Sequence, residues 1–208
     1  MYCYLGVNFS VSGSFSFART EIYKKGLKAF FKFSKSFNDK NPSIKTFLHK
    51  FYHTVKAVLM YGSEIWGCFH PNKLKSHKSF FNLCNDSIIE KRNDKSCTYI
   101  LGVPRRCTNS SVMSELGSLS LYFSIILNLV KYWIRLEKSD NTLLKESLRM
   151  SKNLHENGCT SWISCIYNML QFLDISPHYI LQGKVNVKKL LIKKLTSILW
   201  KCLEKWTF

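Results

Sequence analysis

Lys56-Ala57-Val58-Leu59-Met60-Tyr61-Gly62-Ser63-Glu64-Ile65-Trp66-Gly67 is the stretch whose reading decides the fold. An apolar helical approach ends at Tyr61-Gly62, and an aromatic-glycine pair, Trp66-Gly67, follows directly. Glycine supplies positive φ or close backbone approach where a helix ends. Gly62 therefore reads as a stop, and Gly67, beside a large indole, as a place where a neighbouring element lies on the backbone. Glu64 is the single charge among Tyr61, Ile65 and Trp66. The segment packs inside, and a carboxylate there needs a partner.

Working back from this corner, Ile44, Phe47, Leu48, Phe51, Val55, Val58 and Leu59 form a broad apolar stripe at helical spacing, while Lys45, His49, Lys50, His53 and Lys56 face away. Asn41-Pro42 reads as the start of that helix, with Asn41 as N-cap and Pro42 at the first helical position. His49 and His53 sit four apart on one face, a spacing zinc can use, but no third ligand is legible and both read as surface residues. Further back, residues 18 to 37 are helical in pattern: Ile22, Ala29, Phe30, Phe33 and Phe37 recur near i+3 and i+4, and Lys24, Lys28, Lys32 and Lys35 line another face. Gly26 is the weak point of that helix. At the start, residues 2 to 9 are aromatic and β-branched enough for a strand, Ser12-Gly13-Ser14 makes a turn, and Phe15 and Phe17 lie on the return of a hairpin.

Working forward, Leu74, Phe80, Phe81, Leu83, Cys84 and Ile88 predict a helix, and residues 95 to 101 a short one, stopped by Gly102 with Pro104 beyond. Arg105 and Arg106 stand in a basic loop, where arginines could grip phosphates bidentately. Asn109 is the expected cap of a small helix over 110–116, ended by Gly117. Helices are predicted over 119–136, 143–154 and 162–173, the last stopped by Ser176-Pro177. Residues 186 to 208 form a cationic amphipathic helix, with Val187, Leu190, Leu191, Leu195, Ile198, Leu199 and Leu203 against Lys188, Lys189, Lys193, Lys194, Lys201 and Lys205. The fold class is thus mostly α, an N-terminal β-hairpin followed by a bundle-like run of helices.

With 208 residues, 46% of them hydrophobic, the chain can bury one full-sized core or two small ones. Lysine and arginine number 31 against 13 acidic residues, a formal net charge of +18 spread along the whole length. A polyanionic partner is the first expectation, and nucleic acid the first polyanion. The eight cysteines, at 3, 68, 84, 97, 107, 159, 165 and 202, include no CxxC pair and suit thiols of a reducing compartment, so an intracellular location is expected and a zinc module is not. The most apolar window, 119 to 136, is broken by Ser124, Asn128, Lys131 and Arg135, which argues for a buried helix rather than a membrane span.

Catalytic chemistry is not legible. Asp39, Asp86, Asp94, Asp140 and Asp174 stand apart rather than in metal-holding pairs, and neither a Gly-rich phosphate loop nor a G-x-S-x-G elbow is present. The residues call for no cofactor, no metal and no small-molecule substrate. Binding remains, either to nucleic acid or, as the alternative, to a partner or anionic membrane through the C-terminal basic amphipathic helix.

The order of motifs carries a resemblance. Tyr4-Leu5-Gly6-Val7, Ser12-Gly13-Ser14-Phe15, Lys28-Ala29-Phe30, residues 58 to 67, Ile100-Leu101-Gly102-Val103-Pro104, Thr108-Asn109, Glu115-Leu116-Gly117 and Lys131-Tyr132-Trp133 succeed one another over residues 2 to 136. This series resembles the region downstream of the catalytic palm in reverse transcriptases of non-LTR (LINE-type) retrotransposons. The resemblance implies that residues 1–17 are a remnant of the last palm hairpin, 18–136 a helical thumb and connection-like region, and 137–208 a helical C-terminal region of uncertain assignment. It places the family's catalytic aspartates upstream of Tyr4, so the expectation is a truncated fragment of an RNA-directed DNA polymerase that is not itself an enzyme. What carries over is non-specific, thumb-like contact with RNA or an RNA–DNA duplex: Lys24, Lys28, Lys32 and Lys35 as phosphate contacts, with Arg105 and Arg106. Within the same series Glu64 is structurally paired rather than catalytic.

Overall fold

The computed structural model describes residues 2–4, 7–9, 15–37, 42–68, 76–104, 106–183 and 185–203. Two short strands, β1 (Tyr2–Tyr4) and β2 (Val7–Phe9), precede helices α1 (Ser16–Lys35) and α2 (Ile44–Phe51). A π-helical turn at Tyr52–Lys56 joins α2 to α3 (Ala57–Leu59), and α4 (Ser63–Trp66), α5 (His77–Asp86), α6 (Ile88–Leu101) and α7 (Asn109–Glu115) follow. The remainder is α8 (Leu121–Glu137), α9 (Thr142–Glu156), α10 (Trp162–Phe172), α11 (Pro177–Leu181) and α12 (Val187–Leu203). The described chain is therefore mostly α. It divides into two compact units, one of Met1–Gly62 with Cys84–Tyr122, the other of Ser63–Leu83 with Phe123–Phe208.

In the first unit α1 forms because Ala18, Ile22, Gly26, Phe30 and Phe33 recur on one face, and all five are buried. The rod made by α2, the π turn and α3 presents Phe51, Val55 and Leu59, all at 0% exposure. An i+4 row drifts around a regular α-helix, and the wider π turn at Tyr52–Lys56 holds these three in line. α1 packs on the π turn, on α3 and on α6. The tightest point is Gly26, where a Cβ would stand 2.3 Å from Leu59 Cδ2. Alanine is worth about 1 kcal/mol more than glycine in a helix interior, but Leu59 is fully buried and overpacking costs about 1–3 kcal/mol. Gly26→Ala is therefore expected to lose about 1 kcal/mol net, measured by urea denaturation followed by far-UV circular dichroism. Combined with Leu59→Ala, the loss should be smaller than the sum of the two single losses.

Four expectations need correction here. The hairpin returning through Phe15 and Phe17 is not formed: β1 pairs with β2, Cys3 opposite Asn8, and Phe17 already lies in α1. The aromatic residues at 15 and 17 mimic a strand, but Phe15 directly precedes the helix and Phe17 lies in its first turn, 40% exposed. The cap of α2 is Ser43, whose Oγ accepts the Thr46 N–H at 3.3 Å, while Pro42 precedes the helix and Asn41 lies outside the described residues. Residues 88 to 101 make one helix rather than the end of one and a short second. Thr108, not Asn109, caps α7, its Oγ1 accepting the Ser111 N–H at 3.3 Å, and the Asn109 amide instead donates to Asp94 Oδ2 at 2.7 Å.

In the second unit the corner seen in the sequence is built around α4. Gly62 ends the preceding rod in the left-handed region, at φ +66°. The Gly67 N–H donates to the Ser63 carbonyl at 2.9 Å, and buried Ser63 accepts the Asn128 Nδ2 of α8 at 2.9 Å. Trp162 Nε1, on α10, donates to the Glu64 carbonyl at 3.0 Å. A neighbouring element does lie on the glycine backbone: Ile125 Cγ2 of α8 is 2.3 Å from where a Gly67 Cβ would be. The Glu64 side chain, expected to be paired, is half-buried and makes no ion pair among the described residues. Its carbonyl, not its carboxylate, ties the corner together.

Trp133 is fully buried on α8 with Nε1 donating to Glu137 Oε1 at 2.8 Å, and Lys152 of α9 closes on the same carboxylate at 2.8 Å. α10 opens with a reciprocal cap in which Ser161 and Ser164 each accept the other's backbone N–H. Ser176-Pro177 does not simply stop it: Pro177 starts α11, its fixed φ and missing N–H suiting a first helical position. On α12 the apolar positions Leu191, Leu195 and Ile198 are buried, and Lys188, Lys189 and Lys193 are exposed. Among the described residues no helix is long and apolar enough to cross a membrane.

Candidate nucleic-acid interface

The lysines of α1 are placed by the same periodicity that buries its aromatic face. At 100° per residue, Lys24, Lys28, Lys32 and Lys35 fall within about 80° of helix surface and extend along about 16 Å of its axis. All four are exposed. Glu21 Oε1 accepts from Lys24 Nζ at 2.8 Å, and that contact holds the Glu21 carboxyl below its ordinary range. Lys28, Lys32 and Lys35 make no ion pair among the described residues. An ammonium row without carboxylate partners is the arrangement that releases counterions from a phosphate backbone on contact.

Two members of this face escaped the sequence reading. Lys25 is exposed beside Lys28 and Lys32, and Phe31, between Lys28 and Lys35, is 56% exposed. Both were available from the sequence by projecting residues 16 to 35 onto a helix, because Phe31 falls on the Lys24–Lys35 line rather than with Phe30 and Phe33. Phe17, at 40% exposure, lies two further turns back on the same line. Of the loop arginines, Arg106 is exposed between α6 and α7, on a different element from the lysine row. Arg105 lies outside the described residues.

His49 and His53 of the α2 rod bring their rings together at a tilt of 51°, with centroids 4.5 Å apart. Among the described residues no group of three or more His, Cys, Asp or Glu side chains is placed to hold a metal ion.

The most perturbed titratable groups lie inside the first unit, on α6. Glu90, 2% exposed, accepts the Leu121 N–H at 3.2 Å and Asn93 Nδ2 at 3.4 Å through Oε1, while buried Oε2 reaches no hydrogen-bond partner. Burial, reinforced by the neighbouring Asp94 charge, pushes the Glu90 carboxyl up to about 7. Burial likewise raises Asp94 to about 6. Arg92 lays its guanidinium 4.0 Å from the Phe30 ring centroid, a cation–π contact in place of hydrogen bonds for Nε and Nη2. Perturbed carboxylates often mark active sites, but these are enclosed in the packing of α6 and present nothing to a substrate.

No protein-family model, curated protein or solved structure matches this chain.

Proposed function

We propose that this chain derives from the helical region that follows the catalytic palm in non-LTR retrotransposon reverse transcriptases, and that it binds nucleic acid non-specifically through α1. The supporting observation is the two-faced character of that helix: Ala18, Ile22, Phe30 and Phe33 are buried, while Lys24, Lys28, Lys32 and Lys35 face solvent. The motif order over residues 2 to 136 and the net charge of +18 point the same way. No Asp-Asp pair occurs in the 208 residues, so polymerase chemistry is not assigned to them. The alternative, a helical interaction protein acting through α12, would need an apolar face that Leu191, Leu195 and Ile198 already bury.

The test is binding to an RNA–DNA hybrid across a salt series. Affinity should fall linearly in log–log form, and Lys28→Glu, Lys32→Glu and Lys35→Glu together should flatten that slope by about 2–3. The same charge change at Lys188, Lys189 and Lys193 of α12 should flatten it less. An equal effect from the two triples would mean that net charge, not α1, holds the nucleic acid. Absence of binding at low salt would refute the reading.

A further inference from the structure

Resting on that reading, we infer that the α1 face takes single-stranded nucleic acid, with a base stacked on Phe31 and the flanking phosphates on Lys28, Lys32 and Lys35. Phe31 stands one helical turn from Lys28 on one side and from Lys35 on the other, distances at which side chains on a helix surface are neighbours. Its ring touches Phe30 edge to face, with centroids 6.4 Å apart, and 56% of the residue remains in water. Elsewhere among the described residues cations cover the faces of aromatic rings: Arg92 over Phe30, Lys50 over Phe37, Lys56 over Tyr52. Among the described residues none covers Phe31, although Lys28, Lys32 and Lys35 neighbour it on the helix. An exposed aromatic platform set in an electropositive row is the combination that binds single strands irrespective of sequence, since every base has a π-face and every nucleotide a phosphate. A duplex, whose bases are already stacked on one another, can use only the lysines.

The test compares labelled oligo-dT, oligo-U and an RNA–DNA hybrid of equal length by fluorescence anisotropy, with the whole chain and its Phe31→Ser and Phe31→Tyr variants. Phe31→Ser should weaken binding to the single strands by roughly 5- to 100-fold, leave the hybrid and the far-UV circular dichroism unchanged, and be rescued by Phe31→Tyr. The two oligonucleotides show whether the DNA or the RNA strand is bound more tightly, and preference for either supports the inference. If Phe31→Ser changes single-strand and hybrid affinity alike, or neither, while the salt slope and its dependence on the lysines persist, the stacking inference fails and the proposed function stands. If no nucleic acid is bound at low salt, both fall.

Discussion

Replacing Gly67 by alanine is expected to lower the stability of the second unit by about 2–3 kcal/mol, although the change adds a single methyl. That methyl would lie 2.3 Å from Ile125 Cγ2 and 2.3 Å from the Ser63 carbonyl oxygen. Ile125 is fully buried, and the Ser63 oxygen accepts the Gly67 N–H at 2.9 Å, so neither can withdraw without breaking something else. The entropic gain from removing a glycine, about 0.4–1 kcal/mol, is too small to offset this. The measurement is tryptophan fluorescence during urea denaturation, because all five tryptophans fall within the residues of the second unit. An unchanged midpoint would refute the packing described for this corner. Hydrogen exchange in α1 and α6, which belong to the first unit, serves as the internal control.

Glu90→Gln should do the opposite in the first unit, raising its stability by about 2 kcal/mol at pH 8 and by nothing near pH 4. The sign follows from the protons. Folding lifts the Glu90 carboxyl from 4.5 to about 7 and Asp94 from 3.8 to about 6, so the native state holds more protons than the unfolded chain between about pH 4 and pH 7. Stability is therefore greatest at the acidic end of that window and declines as pH rises through the folded values. Charging Glu90 in place costs on the order of 3 kcal/mol, of which an amide recovers most, because its oxygen still accepts from the Leu121 N–H. Tryptophan emission is silent for this unit, so the profile has to be followed by far-UV circular dichroism or hydrogen exchange at Leu121. A native stability that rises with pH from 4 to 7, or a variant whose gain does not grow with pH, would overturn the assignment.

How much of this was legible depended on whether burial and polarity agreed. For α1, α8, α9, α10 and the rod of α2 and α3 they did, and each was found from apolar periodicity within two or three residues of its ends. The glycine stops at 62, 102 and 117 were read correctly because a left-handed residue has few alternatives to glycine. Helix α6 was read only in its second half, residues 95 to 101, for the opposite reason. Glu90 to Ser96 is an unbroken polar run with no apolar periodicity to mark it as packed, yet Glu90, Arg92, Asn93, Asp94 and Ser96 are buried. Their partners, the Leu121 N–H, the Asn109 amide and the Phe30 ring, are distant in sequence, so no local pattern announces them. For the candidate site, the four lysines needed only helical geometry. Phe31 was lost among neighbouring phenylalanines, of which only the angular position tells core from surface.

The first unit is written in two separated pieces, and synthesis must respect that order. Its α1 and the rod that packs on it emerge first, but Cys84–Tyr122, which carries α6, emerges only after the 60 residues from 63 to 122 have been made. At about 5–20 residues per second this interval lasts about 3 to 12 seconds. Until α6 is complete at Leu101, Phe30 lacks the helix that covers it, and the lysines on the other side of α1 keep the nascent helix in water. The charged face would thus serve the newborn chain on the ribosome before it serves any partner.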